Sequence, residues 1–390
     1  MNHYRPYSRM TDFFLYLYKI ISTQNFNNMK CFSKWIFTAC LSAFLSTAGF
    51  ICSGQETDKQ LGKIQATLNN YSHTYDEIAK KVDDLLWYEK VGDVAYIDKV
   101  IICGPPRWKE SNPTAEGAGN PVKFWAYVFI PKNVDTGKKY PLMVFVHGGV
   151  HGDMSTYNAH FIRELIAQEY IVVAADYRGS IGYGRSNYEN IDYGGLENQD
   201  VHASKEYMVE NYSIVDSNRI GIMGWSHGGM ITLMNLFQYP NDYKCGFAGV
   251  PVSDVISRLG YKDSSYADLF SADYHVGKTI NEDIAEYKRR SPVWHAEKLK
   301  SPLLIHTNTN DEDVNVLEVE HMIHALKAAN KKFEYKIFEN MPGGHSFDRL
   351  DQKSATDIRF TIYKFLEKYL SPNKPFKSAD DMRKAAYRFN

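Results

Sequence analysis

The stretch that most restricts what this chain can fold into is Gly224-Trp225-Ser226-His227-Gly228-Gly229. A short apolar segment of strand type, Arg219 to Met223, runs into it, and Met230, Leu233, Met234 and Phe237 follow at helical spacing on one face. A strand that turns directly into a helix at G-x-S-x-G leaves no room for side chains at Gly224 and Gly228. It lifts the Ser226 hydroxyl out of the sheet and aims the free N–H groups and positive dipole end of the helix at whatever reacts there. The bare pattern is weak, since with Gly and Ser at roughly 7% each it arises by chance in about one chain in ten of this length. Its surroundings make it specific.

Tyr140 to Val146 and Ile171 to Ala175 are continuous apolar runs, the pattern of strands covered on both faces. Cys245 to Val250, Pro302 to His306 and Phe333 to Phe338 read as further strands, and Tyr96 to Cys103 and Val122 to Ile130 as two earlier ones. Helical periodicity separates them over Phe161–Glu169, Glu197–Glu210 and Val316–Leu326, and a last helix carries Ile358, Ile362, Phe365, Leu366 and Tyr369 on one face. This β-α alternation predicts a mostly parallel central sheet with helices on both faces. Between signal-like N-terminus and sheet, residues 55–94 form a helical segment whose Ile78, Val82, Leu85 and Leu86 stripe is expected to pack on the body. Residues 95–372 make the main domain, with a lid-like insertion at about 252–290, and 373–390 are a C-terminal tail.

Two loops carry the partners that Ser226 needs. Asn308-Thr309-Asn310-Asp311-Glu312-Asp313-Val314 follows one predicted strand, and Met341-Pro342-Gly343-Gly344-His345-Ser346-Phe347 follows the last. A serine hydroxyl is a poor nucleophile near neutral pH; an imidazole must take its proton, and a carboxylate must hold that imidazole in the right tautomer. Ser226, Asp311 and His345 stand in the nucleophile-acid-base order of the α/β-hydrolase fold.

His147-Gly148-Gly149, the Asp176-Tyr177-Arg178-Gly179-Ser180-Ile181-Gly182-Tyr183-Gly184 stretch, the Gly224 motif, Pro302 to His306 with Asp311 to Val314, and Gly343 to Phe347 together resemble the catalytic domain of the prolyl oligopeptidase family of serine peptidases, over about residues 95–370. The resemblance implies Ser226 as nucleophile, Asp311 as acid and His345 as general base. It implies oxyanion donors at the His227 backbone N–H and at the strand-end turn, where His147 in place of a tyrosine points to a backbone donor at Gly149. The acid loop is one residue longer than the family's usual form. Counting back from Val314 gives Asp311, counting forward from His306 lands on Asn310, which cannot serve, and Asp313 is a rival. No repeat of β-propeller length precedes the domain, and the paired glutamates with which dipeptidyl peptidases grip an N-terminus are missing. Substrate range is therefore not inherited.

Formal charge is −1 with signs interspersed, which gives no electrostatic case for nucleic acid or an anionic membrane. Lys30 and Lys34, an uncharged run from Trp35 to Cys52, then Gly54-Gln55-Glu56 describe an export signal or an uncleaved anchor within residues 1–54, hence an exported protein, periplasmic or tethered to a membrane. Cys103 and Cys245, the two cysteines outside that segment, read as buried free thiols. His321 and His324 lie three apart on a helix with no third ligand nearby, so no metal and no cofactor is expected. Arg178, Glu197 and Asp200 read as structural polar groups around the elbow. The expected activity is cleavage of short or flexible peptides through an acyl-enzyme. Deacylation of carbohydrate or small esters with the same groups is the alternative, and a non-catalytic binding protein on the same scaffold the third reading. Oligomeric state is left open.

Overall fold

The structure, a computed structural model, describes residues 35–110 and 112–386, with side chains from residue 57 onward. It divides into two units, 1–68 and 69–390. Helix Trp35–Lys90 starts in the first and ends in the second. The export-signal expectation rests on residues 1–54, whose side chains lie outside the described set. Among the described residues no helix is long and apolar enough to cross a membrane.

The second unit is built on one sheet of eight strands. They are β1 (Ala95–Pro106), β2 (Pro121–Pro131), β3 (Tyr140–Val146), β4 (Ile171–Asp176), β5 (Val215–Trp225), β6 (Cys245–Gly249), β7 (Leu303–Asn308) and β8 (Glu334–Phe338), in the order β1-β2-β4-β3-β5-β6-β7-β8. β1–β2 and β2–β4 pair antiparallel, and every later neighbour is parallel. This is the mostly parallel α/β-hydrolase sheet that the β-α alternation predicts.

Because side chains alternate across a strand, the continuous apolar runs feed two cores at once. Leu142, Val144 and Val146 of β3 join Val173 of β4 and Ile222 of β5 in one cluster. Met143 and Phe145 join Val172 and Met223 in the other. Helices Glu197–Asn211 and His227–Gln238 bury residues in the first cluster, and Ala159–Ala167 and Lys353–Leu370 in the second. Parallel pairing of β3, β5, β6, β7 and β8 puts all their C-terminal ends on one edge of the sheet, where loops can converge. The insertion between β6 and β7 forms three short helices, Val255–Leu259, Ser264–Ser271 and Ile284–Arg290.

Two expectations are corrected. Ile78, Val82, Leu85 and Leu86 do not pack on the body: all four are exposed, and the helix instead turns Lys80 and Trp87 inward. The polar side chains of that face find buried partners far along the chain, which outweighs the apolar stripe. Cys103 is exposed rather than buried, because β1 is an edge strand; Cys245 is buried, and both are free.

Candidate active site

Ser226 sits between β5 and helix His227–Gln238 with φ 59° and ψ −122°, a left-handed conformation that costs a non-glycine residue roughly 1–3 kcal/mol. Three backbone hydrogen bonds hold it there. Ser226 N–H donates to the Gly249 carbonyl at 2.9 Å, and the Ser226 carbonyl accepts from Met230 at 3.0 Å and Val252 at 3.1 Å. A Cβ on Gly228 would lie 2.3 Å from the Val146 carbonyl oxygen, so only glycine lets the helix start this close to β3.

His345 lies in a single 3-10 turn, Gly344–Ser346, after β8. Its Nδ1 lies 2.7 Å from Oδ2 of Asp311, whose side chain is fully buried. The other Asp311 oxygen, Oδ1, accepts from the backbone N–H groups of Asp313 at 2.8 Å and Val314 at 2.9 Å. Asn308, the last residue of β7, ties the two loops together. Its Nδ2 donates to the carbonyls of Met341 (3.0 Å) and Gly344 (3.1 Å), and its Oδ1 accepts from Met341 N–H at 3.1 Å.

The rival acid, Asp313, is on the other side of the ring, with Oδ2 3.3 Å from His345 Nε2. Burial alone would raise its pKa, but the Arg258 guanidinium, Lys262 and His345 hold it below the ordinary carboxylate range. Among the described residues no hydrogen bond joins Ser226 to His345. The structure thus brings His345 together with Asp311 and with Asp313, and leaves the nucleophile unengaged. Catalytic hydrogen bonds of this kind often tighten only when substrate is present.

On the β3 side, Gly149 follows the strand with φ 90°, a value that favours glycine. Its carbonyl lies 3.0 Å from His227 Nδ1, and His227 Nε2 lies 2.7 Å from Glu197 Oε2. The ring is stacked on Tyr193 with centroids 3.9 Å apart. The sequence places the oxyanion donors at Gly149 and His227 by backbone alone. The structure adds a use for the His227 ring, which latches the Gly148–Gly149 turn to the elbow and is itself held by buried Glu197. Sequence reasoning missed this because Glu197 is 30 residues away on another helix. It also missed Asp348, whose Oδ2 accepts from Trp225 Nε1 at 3.0 Å and so ties the residue before the nucleophile to the loop of His345.

The remaining polar groups are structural. His147 is buried, stacked on Tyr177 and 3.1 Å from Ser180 Oγ, and burial lowers its pKa. Arg178 and Asp200 form a buried two-pronged pair at 2.7 and 2.8 Å, and Arg178 also donates to the Pro105 carbonyl. His321 lies 3.0 Å from Asp254, and no group of metal-ligating side chains found among the described residues contains it or His324. The group of ligand-type atoms that does gather there, His202, Glu206 and Asp242, is crossed by Lys205, which pairs with both carboxylates.

The family model described as the prolyl oligopeptidase family matches residues 156–373, more than half of the chain. An acylamino-acid-releasing enzyme of Arabidopsis thaliana is 28% identical over 298 residues, 72% of this chain and 38% of that protein. Dipeptidyl peptidase 4 of Felis catus is 32% identical over 224 residues, 55% of this chain and 28% of its own length. An acylaminoacyl peptidase structure from Pyrococcus horikoshii superposes with a TM-score of 0.59 at 20% identity, over 74% of this chain and 44% of that one, which speaks for the fold alone. The matches span less than half the length of each of these relatives.

Proposed function

The chain belongs to the prolyl oligopeptidase family, and from that premise we propose that it is a serine peptidase in which Ser226, His345 and Asp311 act as nucleophile, base and acid on short or flexible peptides. The observation that carries the proposal is the Asp311 carboxylate. One oxygen is saturated by two backbone N–H groups, so the other is committed to His345 Nδ1. A ring held in that way carries its proton on Nδ1, and its Nε2 serves as base once it has turned away from Asp313.

Ser226 Oγ attacks the substrate carbonyl carbon and gives its proton to His345 Nε2, which leaves Asp313 to face the nucleophile. The oxyanion that forms is met by the backbone N–H groups of His227 and Gly149, with the N-terminus of helix His227–Gln238 behind them. His345 then protonates the departing amine, and water repeats the sequence on the acyl-enzyme. The preference for peptides over esters rests on the relatives' names as acylamino-acid-releasing enzymes and dipeptidyl peptidases. The apolar run between Lys34 and Gly54 supports export from the cytoplasm, to the periplasm or a membrane surface.

The test is one enzyme preparation assayed on matched peptidyl anilides and acyl esters, with a phosphonylating serine probe. We expect a single label at Ser226, no label and no turnover in Ser226→Ala, and a higher kcat/KM on the peptide series. Labelling with turnover confined to esters would replace the peptidase reading with the esterase one. Activity in Ser226→Ala would remove both.

A further inference from the structure

The loop after β7 offers His345 two carboxylates, and the triad uses one of them. Asp311 holds Nδ1, while Asp313 lies against Nε2, the atom that must turn to Ser226. Asp313 is fixed from the insertion that follows β6. Arg258 donates from Nη1 to the Asp313 carbonyl at 2.9 Å and from Nη2 to Oδ1 at 3.0 Å, and Lys262 pairs with the same Oδ1. Both cations therefore sit on one oxygen. Among the described residues the other oxygen, Oδ2, has His345 Nε2 at 3.3 Å as its partner and nothing else. Once the ring turns to the nucleophile, Oδ2 is left as an anchored, half-exposed carboxylate oxygen with no donor.

Where that oxygen meets a substrate follows from short distances. Ser226 Oγ must come within about 3 Å of Nε2 to give up its proton, which keeps Oδ2 within roughly 6 Å of the attacking oxygen. Tyr193, stacked on the oxyanion residue His227, stands edge-on to Tyr266 with centroids 6.1 Å apart, and Arg258 lies over the Tyr266 ring at 4.9 Å. This line of rings runs from the oxyanion turn to the Arg258–Asp313 pair. It ends in partly buried Tyr266, an apolar wall for the side chain of the residue that carries the scissile carbonyl. The α-nitrogen of that residue branches from the same Cα, about 2.5 Å from the attacked carbon, and so falls toward Oδ2. If the nitrogen is acylated, it brings a carbonyl oxygen beside the carboxylate, acceptor against acceptor. A free ammonium brings up to three donors and the opposite charge.

We propose that Asp313 Oδ2 binds the free α-ammonium of the residue whose carbonyl Ser226 attacks, so that the enzyme releases single residues from the N-terminus of peptides. This rests on the reading of Ser226 and His345 as nucleophile and base of a peptidase. Arg258 and Lys262 position the carboxylate through its other oxygen, and the same carboxylate disfavours a blocked N-terminus.

Alanine p-nitroanilide, its N-acetyl derivative and alanyl-alanine p-nitroanilide, compared on the full chain, test this. The wild type should favour the first over each of the others by about tenfold or more in kcat/KM. Asp313→Asn keeps the shape of the side chain and should cut the ratio of free to acetylated substrate by about 10- to 100-fold, mostly through KM. Lys262→Ala removes a cation that competes for the same carboxylate and should raise that ratio by up to about fivefold, a shift that a merely loosened site would not give. Serine-probe labelling of both variants should match wild type, showing an intact nucleophile. If turnover is confined to esters, the same comparison on alanine and N-acetylalanine esters reads the amine subsite by itself, so loss of the peptidase reading and loss of the subsite stay distinct. A wild type that favours the acetylated substrate, a wild type that releases the dipeptide faster than the single residue, or a ratio unmoved in Asp313→Asn would each overturn the proposal.

Discussion

Replacing Asp311 by asparagine tests the acid assignment more sharply than truncation would, because the loop decides which way the amide must point. The two backbone N–H groups of Asp313 and Val314, at 2.8 and 2.9 Å, are donors and need an oxygen at the Oδ1 position. An asparagine must give them its carbonyl, which places its NH2 where Oδ2 now stands, 2.7 Å from His345 Nδ1. The imidazole then accepts on Nδ1, moves its proton to Nε2, and can no longer take one from Ser226. Loss of kcat should reach three to four decades, about 4–5.5 kcal/mol of transition-state stabilisation, with the fold and KM little changed. Asp313→Asn removes a half-exposed charge that Arg258 and Lys262 already hold, and should cost less than about tenfold. The assay is steady-state kcat on a chromogenic peptide with active-site titration, and near-ultraviolet circular dichroism to check packing. Near-normal turnover in Asp311→Asn with collapse in Asp313→Asn would move the acid to Asp313, and equal losses in both would refute the reasoning about the loop's donors.

His227→Ala keeps the backbone N–H but frees the Gly148–Gly149 turn, and should lower kcat by about 10- to 100-fold, less than the full loss of an oxyanion donor, with KM within a few-fold; unchanged kcat would show that the ring has no positioning role. Lys80→Ala leaves the fully buried Asp176 without its cation and should destabilise by about 3–5 kcal/mol, read as a lowered urea midpoint at pH 7. His306 in β7 has its pKa lowered to about 3, chiefly by burial and then by Lys336. A histidine depressed in the folded state contributes stability that is present above its unfolded value near 6.5 and lost as pH falls from there toward 3. Between pH 7 and 5 that loss is about 2 kcal/mol, so His306→Phe, seated among Phe247 and Phe338, should flatten the pH dependence of unfolding by that amount; an unchanged slope would contradict it.

The strands, their parallel order and the loops bearing Asp311 and His345 are legible in the sequence because each is a local signal: an apolar run for a strand buried on both faces, a periodic helix, a short polar loop. The orientation of the N-terminal helix is not. Periodicity identifies the Ile78–Val82–Leu85 stripe but assigns it to the nearest available surface. What turns the helix over is Lys80 meeting Asp153 and Asp176, 73 and 96 residues on, a pairing no local pattern carries. The same limit hides the bond between the His227 ring and Glu197, which the sequence places only among the structural polar groups around the elbow, and it hides Asp348 behind Trp225. The choice between Asp311 and Asp313, two residues apart, needed a fact of another kind: which carboxylate the loop's own N–H groups had already filled on one side.

Asp176 stands at the meeting point of four parts of the molecule. It ends β4, its Oδ1 accepts the Met154 N–H at 2.5 Å, and it lies 3.7 Å from His147 and 3.1 Å from Lys80. Drift at this position cannot proceed one residue at a time. Loss of the lysine leaves a buried anion, and loss of the carboxylate leaves a buried ammonium group to Asp153 and the Met154 carbonyl alone, so either first step passes through a less stable chain. Lys80 and Asp176 are therefore bound to a shared history, although one lies on a helix outside the sheet and the other beside the turn that faces Ser226.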